Sequence, residues 1–159
     1  MKRLILLWAV IALAACWTTI DAAGQKGWQR HDLQTLGVRL DTPPGWQRVD
    51  SGRTVIFGDD VRPDQVTVAA ESDAPTTGAD DMLEWLANQA ERREGDFTAE
   101  GVIRDGVVGE RITGVAGECV SYYFPVGGSV GVVRLTFAPE LCDDPALIEA
   151  IIGSLRFAE

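Results

Sequence analysis

Short segments with strand character, separated by turn residues, limit most strongly how this chain can fold. In Val130–Ala138, for example, Val133, Leu135 and Phe137 fall on one face by strict alternation. The turn sequences between segments, such as Asp105-Gly106, are too short for crossover connections, so successive strands are expected to pair antiparallel. The pattern predicts strands at Trp28–Leu33, Gly37–Asp41, Thr54–Gly58, Gln65–Ala70, Phe97–Arg104, Val107–Thr113, Glu118–Phe124 and Val130–Ala138.

Two helices are predicted among these strands. The first, Asp80–Arg93, places its apolar side chains at three- and four-residue spacing and follows a capping pair formed by Thr77 and Asp80. The second begins at Asp143-Asp144-Pro145, an acidic N-cap followed by a proline in the first turn, and continues to Leu155. The order strands, helix, strands, helix predicts an α+β fold, with an antiparallel β-sheet flanked by helices.

The N-terminus has the features of an export signal. Lys2 and Arg3 precede an apolar run, Leu4–Ala15, whose 12 residues would span about 18 Å as a helix. This length is too short for a hydrocarbon core of about 30 Å but suits the apolar part of a secretory signal. The run ends in Leu13-Ala14-Ala15-Cys16, which resembles the lipobox of bacterial lipoproteins. In that family the peptide before the cysteine is removed and the cysteine is acylated.

The lipobox interpretation divides the chain into a signal peptide (1–15), a tether (16–27) and a single α+β domain (28–159). Lipid on Cys16 would anchor the protein in the cell envelope, on the non-cytoplasmic side of a membrane, because two or more acyl chains hold stably. In Gram-negative lipoproteins an Asp after the cysteine favours retention in the inner membrane. Trp17 occupies that position here, so in such an organism we expect the protein to be attached to the outer membrane and to face the periplasm. Two alternatives remain open: an ordinary signal peptide cleaved near Ala22 or Ala23, with Cys16 incidental, and an uncleaved anchor.

The mature chain is strongly acidic. Without Lys2 and Arg3 it keeps 12 basic and 24 acidic residues, a net charge of about −12. Such a surface repels nucleic-acid phosphates and anionic lipid headgroups, so we expect no nucleic-acid partner and membrane attachment through the lipid alone. It would attract a cationic protein partner, although an acidic surface also serves solubility. Apolar residues make up 46% of the chain, enough for a folded core in which Trp28 and Trp46 are expected to pack.

Three cysteines are present, and the lipobox accounts for Cys16. Cys119 and Cys142 remain as an even pair in an exported chain, and an oxidising compartment favours a disulfide between them. The alternatives are two buried free thiols or a metal pair without further ligands. Zinc is not expected, because His31 is the only histidine and the chain contains no Cys-x-x-Cys.

No group of residues indicates catalysis, a metal site or a cofactor. Gly127–Gly131 has the Gly-x-Ser-x-Gly spelling of a hydrolase elbow around Ser129, but a strand follows instead of the required helix, so the glycines are interpreted as hairpin-turn residues. His31 is interpreted as a surface histidine near the first strand. Acid pairs lie in turns or at helix starts, where carboxylates cap backbone N–H groups, so capping is preferred to calcium binding at Asp59-Asp60, Asp80-Asp81 and Asp143-Asp144.

The order of elements and several short motifs resemble the PsbP-like superfamily. They are an early strand ending in Pro43-Pro44-Gly45-Trp46, a helix after the fourth strand, a hairpin of long strands, and a final helix running into Ser154-Leu155-Arg156-Phe157. The superfamily includes bacterial lipoproteins of the DcrB and LpqN type. The resemblance implies an α/β/α sandwich over residues Trp28 to Phe157. It implies no shared catalytic residues, and members of the superfamily bind quite different partners.

The sequence supports three hypotheses about function, in order of preference. The first is a membrane-tethered, non-enzymatic protein-binding or accessory module of the cell envelope. The second is a periplasmic inhibitor or immunity protein that blocks a cationic toxin or lytic enzyme. The third is an envelope hydrolase, which predicts a cleft that holds His31 beside a serine or an acid pair.

Overall fold

The computed structural model describes residues 25–71, 84–88, 97–127 and 130–158. Within them, residues 84–88 are helical (α1), a longer helix (α2) spans Pro145–Gly153, and 3-10 helices span Gln34–Leu36 and Pro139–Asp143. The described residues also form ten strands: β1 (Gln29–Leu33), β2 (Val38–Thr42), β3 (Gln47–Ser51), β4 (Thr54–Gly58), β5 (Val66–Ala70), β6 (Thr98–Arg104), β7 (Val107–Thr113), β8 (Val120–Gly127), β9 (Gly131–Phe137) and β10 (Arg156–Phe157).

Seven strands form one antiparallel sheet in the order β3-β4-β5-β9-β8-β7-β6. Asp105 and Gly106 join β6 to β7 with φ angles of 49° and 78°. A two-residue hairpin connection of this kind needs positive φ at both positions, and Asp and Gly tolerate it best. The predicted turn is therefore confirmed. The β8–β9 hairpin closes between Gly127 and Gly131, as predicted for its glycine-rich segment.

A smaller antiparallel sheet has the order β1-β2-β10, so β10, which follows α2, pairs with β2 near the start of the described residues. Between α2 and β10, Ser154 links the end of α2 to β2. Its Oγ accepts a hydrogen bond from the buried Asp41 N–H at 2.8 Å and donates to the Ile151 carbonyl oxygen at 2.7 Å. The C-terminal helix is thereby fixed to the small sheet.

The main core lies between one face of the seven-stranded sheet and a layer formed by the small sheet and α2. Val133, Leu135 and Phe137 of β9 are fully buried in it, which confirms their predicted common face. The small sheet and the 3-10 helix between β1 and β2 supply four buried side chains within Leu33 to Leu40, and α2 adds Ile148, Ile151 and Ile152.

A second apolar cluster covers the opposite face of the large sheet. Leu86 of α1 packs there with Ile112, Tyr123 and Val132. Helices thus lie on both faces of an antiparallel sheet, and the predicted α+β fold with its α/β/α layers is confirmed. The structure adds one feature to that prediction, because three short strands share the layer of α2.

Several element predictions need correction. The sequence pattern missed β3, the 3-10 helix Pro139–Asp143 and β10, and the predicted C-terminal helix ends at Gly153 instead of Leu155. The predicted helix over 80–93 is described only at 84–88, and its capping pair, Thr77 and Asp80, lies outside the described residues. The signal peptide and most of the tether also lie outside them, so the predicted division of the chain stays a prediction. Within the described ranges, no helix has the length and hydropathy of a membrane span.

Candidate functional site

A cleft of about 450 Å³ opens at one end of the two sheets. Three parts of the chain surround it: the segments flanking β1 and β2, the β4–β5 loop, and the 3-10 helix with the start of α2. We call it the acidic cleft, and its lining residues are Trp28, Pro43, Trp46, Asp59, Arg62, Gln65, Glu140, Leu141, Asp143, Asp144 and Leu147.

The apolar part of the acidic cleft contains two tryptophans. Trp46 is only 9% exposed, and Trp28 is half-buried against the main core. The proline pair before Trp46 cannot continue the β2 ladder, and a turn closed by the Trp46 N–H and the Pro43 carbonyl oxygen carries the chain to β3. The predicted core positions of both tryptophans are confirmed, and each ring also lines the cleft together with Leu141 and Leu147.

The β4–β5 loop holds Asp59 in a fixed position at the cleft. Asp59 Oδ1 accepts hydrogen bonds from the backbone N–H groups of Val61, at 2.9 Å, and Arg62, at 2.6 Å, while Oδ2 accepts from Gln65 Nε2 at 3.3 Å. The hydrogen bond from the Arg62 N–H is the main cause that lowers the pKa of Asp59. A Cβ atom on Gly58 would overlap the Arg62 carbonyl oxygen, so glycine there lets the loop fold back over the end of β4.

The 3-10 helix and the start of α2 supply three carboxylates. Asp144 is the N-cap of α2, and its Oδ1 accepts a hydrogen bond from the Leu147 N–H at 3.1 Å. Glu140 and Asp143 are exposed, and their carboxylates make no hydrogen bond or ion pair within the described parts of the chain. These two side chains are therefore available to a ligand, whereas Asp59 and Asp144 are held by the backbone.

Negative charge dominates the cleft. Four carboxylates and one guanidinium, that of Arg62, line it, which gives a charge of −3. The N-terminus of α2 adds about half a positive charge, which leaves about −2.5. Within the described residues, no three Asp, Glu, Cys or His side chains are grouped to hold a metal ion. The carboxylates thus present separate negative charges around an apolar floor.

The Cys119–Cys142 disulfide is present and borders this site. Cys142 is exposed within the 3-10 helix, between the lining residues Leu141 and Asp143. Cys119 lies directly before β8, and its N–H donates to the Phe137 carbonyl oxygen at 2.8 Å. The predicted disulfide therefore ties one wall of the cleft to the centre of the large sheet.

His31 does not line the acidic cleft. Its Nε2 lies 2.9 Å from Thr42 Oγ1, and its ring centroid is 4.7 Å from that of the buried Phe57. Burial is the main cause that lowers the pKa of His31, and the positive charge of Arg48 acts in the same direction. The predicted surface histidine lies on the first strand, as expected, but it is half-buried because it packs between the two sheets.

The other predicted site residues have mixed outcomes. Cys16 and Trp17 lie outside the described residues, as do Ser129 and the Asp80-Asp81 pair. Capping is confirmed at Asp59 and Asp144, whose carboxylates accept backbone N–H groups.

Sequence reasoning did not assign Arg62, Gln65 or Glu140 to any site. One local signal was available, since three acids surround Cys142 within Glu140–Asp144. Their approach to Trp28 and Asp59 depends on the fold and has no sequence signal.

Comparisons with known proteins add information on the fold alone. No protein-family model and no curated protein matches the chain. The solution structure of cyanobacterial PsbP (CyanoP) from Synechocystis is similar, with 20% identity and a TM-score of 0.49 over 84% of this chain and 94% of that chain. A crystal structure from Bacteroides thetaiotaomicron has 13% identity and a TM-score of 0.50, over 84% of this chain and 49% of that chain. This chain thus spans about half the length of the Bacteroides protein.

Proposed function

We propose that this protein is a membrane-tethered, non-catalytic protein-binding module of the cell envelope that meets its partner through the acidic cleft. The observation that carries the proposal is the cleft, in which Glu140 and Asp143, two carboxylates without a partner among the described residues, lie beside an apolar floor. Concave apolar surfaces with a few placed polar groups are typical of binding sites. The PsbP-like resemblance of the sequence supports the same class of function, because members of that superfamily bind partners and share no catalytic residues.

The position of the cleft supports a role near a membrane. Trp28 lines the cleft and directly follows the proposed tether, residues 16–27, whose twelve residues extend over at most about 40 Å. Lipid on Cys16 would hold this end of the domain within that distance of the bilayer. The net charge of about −12 would keep the domain off anionic headgroups and leave the cleft accessible.

The hydrolase alternative has less support. It requires His31 in a cleft beside a serine or an acid pair, but His31 approaches Thr42 and Phe57 and is not a lining residue of the acidic cleft. Gly127 and Gly131, at the two ends of the Gly-x-Ser-x-Gly segment, pair in the β8–β9 hairpin, and strand β9 follows the segment instead of the helix that a nucleophile elbow needs.

The inhibitor alternative uses the same cleft. A cationic toxin or lytic enzyme is a partner that its negative charge would attract. The inhibitor hypothesis makes one additional prediction: an inhibitor must block the activity of the protein that it binds, whereas a binding module need not.

The anchor is tested by incorporation of labelled palmitate in cells. We expect the native chain to be labelled and to fractionate with membranes, and Cys16→Ala to be unlabelled and soluble. Palmitate-free native protein would contradict the anchor.

The binding role is tested by site-specific photocrosslinking in intact cells, with a benzoylphenylalanine residue in place of Glu140. We expect one discrete crosslinked envelope protein, identified by mass spectrometry and lost in the Cys16→Ala background. The matched control carries the crosslinker at Asp32, an exposed position on β1 away from the cleft. Equal products from both positions, or none from Glu140, would contradict a partner bound at the cleft. Inhibition of the captured protein's activity would favour the inhibitor alternative.

A further inference from the structure

We infer that the occupant of the acidic cleft is a lysine or arginine side chain carried on an exposed segment of the partner protein. The inference rests on the proposed function and gives the chemistry of the partner, which the proposal leaves open.

Charge is the first step of the argument. The cleft's own charge of about −2.5 is carried by only eleven lining residues, and the rest of the mature chain is negative as well. A carboxylate or phosphate ligand would therefore be repelled at long range and at contact. A cationic group would be steered to the cleft and attracted within it.

The aromatic floor is the second step. Trp28 and Trp46 line the same space as the carboxylates, and tryptophan is the side chain that attracts cations most strongly through its ring. The long apolar stems of lysine and arginine pack on such surfaces while their charged ends stay near water and counter-charges. The combination of Trp28, Leu147 and free carboxylates fits both parts of such a side chain.

The state of the carboxylates is the third step. Asp59 and Asp144 already accept backbone N–H groups, so their positions are fixed before any ligand arrives. Glu140 and Asp143 have no such partners within the described residues and can turn towards an ammonium or a guanidinium. A charge-assisted hydrogen bond with a free carboxylate loses no existing contact of the protein.

The direct test measures binding of fluorescein-labelled hexaarginine to the full lipidated protein in neutral detergent micelles, by fluorescence anisotropy. Labelled hexaglutamate is the charge-reversed control. We expect saturable binding of hexaarginine that weakens as the salt concentration rises, and no binding of hexaglutamate.

Two double variants with the same change in charge locate the binding. Glu140→Gln with Asp143→Asn is expected to weaken hexaarginine binding about fivefold to tenfold, which lies in the middle of the range for the loss of two exposed ion pairs. Asp32→Asn with Glu84→Gln removes two exposed acids outside the cleft and is expected to change binding less than about twofold. Thermal unfolding of both variants shows whether they are folded.

The variant Trp28→Leu tests the contribution of the tryptophan ring to hexaarginine binding. It keeps an apolar side chain against the core and is expected to weaken binding about threefold through loss of the ring. If this variant unfolds early, the shift of the Trp28 indole signal in NMR spectra of the native protein, on titration with hexaarginine, replaces it.

Equal weakening by both double variants would overturn the inference, because it would place the peptide on the general acidic surface. Binding of hexaglutamate, or displacement of hexaarginine by an equal concentration of calcium, would overturn it too. A negative peptide result together with a Glu140-specific crosslink would reject the cationic occupant and leave the proposed function standing.

Discussion

The Cys119–Cys142 disulfide allows a stability change to be calculated from the chain itself. The two cysteines are 23 positions apart and enclose β8 and β9. Closing a loop of this size in the unfolded chain lowers its entropy by about 11 cal/mol/K, which corresponds to about 3.4 kcal/mol at 25 °C. The double variant Cys119→Ala with Cys142→Ser is therefore expected to lower the free energy of unfolding by about 3 kcal/mol.

Two measurements detect this change. The unfolding entropy of a domain such as residues 28–159 is about 0.28 kcal/mol/K, so calorimetry should show a fall in Tm of about 12 °C. Urea unfolding followed by tryptophan fluorescence should also give a larger m-value for the variant, because an unfolded chain without the crosslink exposes more surface.

A reductant provides the matched control. It should lower the Tm of the native protein to that of the double variant and leave the variant unchanged. If the native protein, with its disulfide verified by mass spectrometry, melts within about 2 °C of the variant, the loop-closure reasoning is refuted.

Three further predictions follow from single contacts. Gly58→Ala places a Cβ on the Arg62 carbonyl oxygen and is expected to lower the free energy of unfolding in urea by about 1–3 kcal/mol; unchanged stability would show that the loop moves aside. Ser154→Ala leaves the buried Asp41 N–H without its acceptor and is expected to lower the same quantity by about 1–3 kcal/mol, and a neutral effect would contradict this role. Because burial lowers the pKa of His31 below about 6.5, the unfolded chain binds the proton more readily, and stability should fall as the pH drops from about 7 towards 5. His31→Gln should flatten that part of the profile of unfolding free energy against pH, and an unchanged slope would contradict it.

Sequence patterns predicted the strands in which apolar side chains recur at regular positions. β7 matches its predicted bounds, Val107–Thr113, and the buried face of β9 follows the alternation of Val133, Leu135 and Phe137. β3 was missed because all five of its residues, Gln47–Ser51, are exposed and carry no alternation. It is an edge strand that forms by pairing with β4. β10 has only two residues, and no local pattern specifies so short a strand.

The candidate site was much less predictable than the fold. The disulfide followed from a count of cysteines, and the caps at Asp59 and Asp144 followed from their places before turns and helices. The acidic cleft joins Trp28, the β4–β5 loop and the segment around Cys142, which are far apart in sequence. Only the packing of the two sheets brings these segments together, and no local propensity encodes that packing.

The position of β2 between β1 and β10 determines when the fold can be completed. The small sheet needs contacts across 113 positions, such as the one between Asp41 and Ser154, and contacts of such long range form late in folding. A ribosome makes β1 and β2 well before β10, because β10 follows β2 by more than 110 positions. During synthesis, one side of β2 therefore stays open until Arg156 and Phe157 have been made and can pair with it.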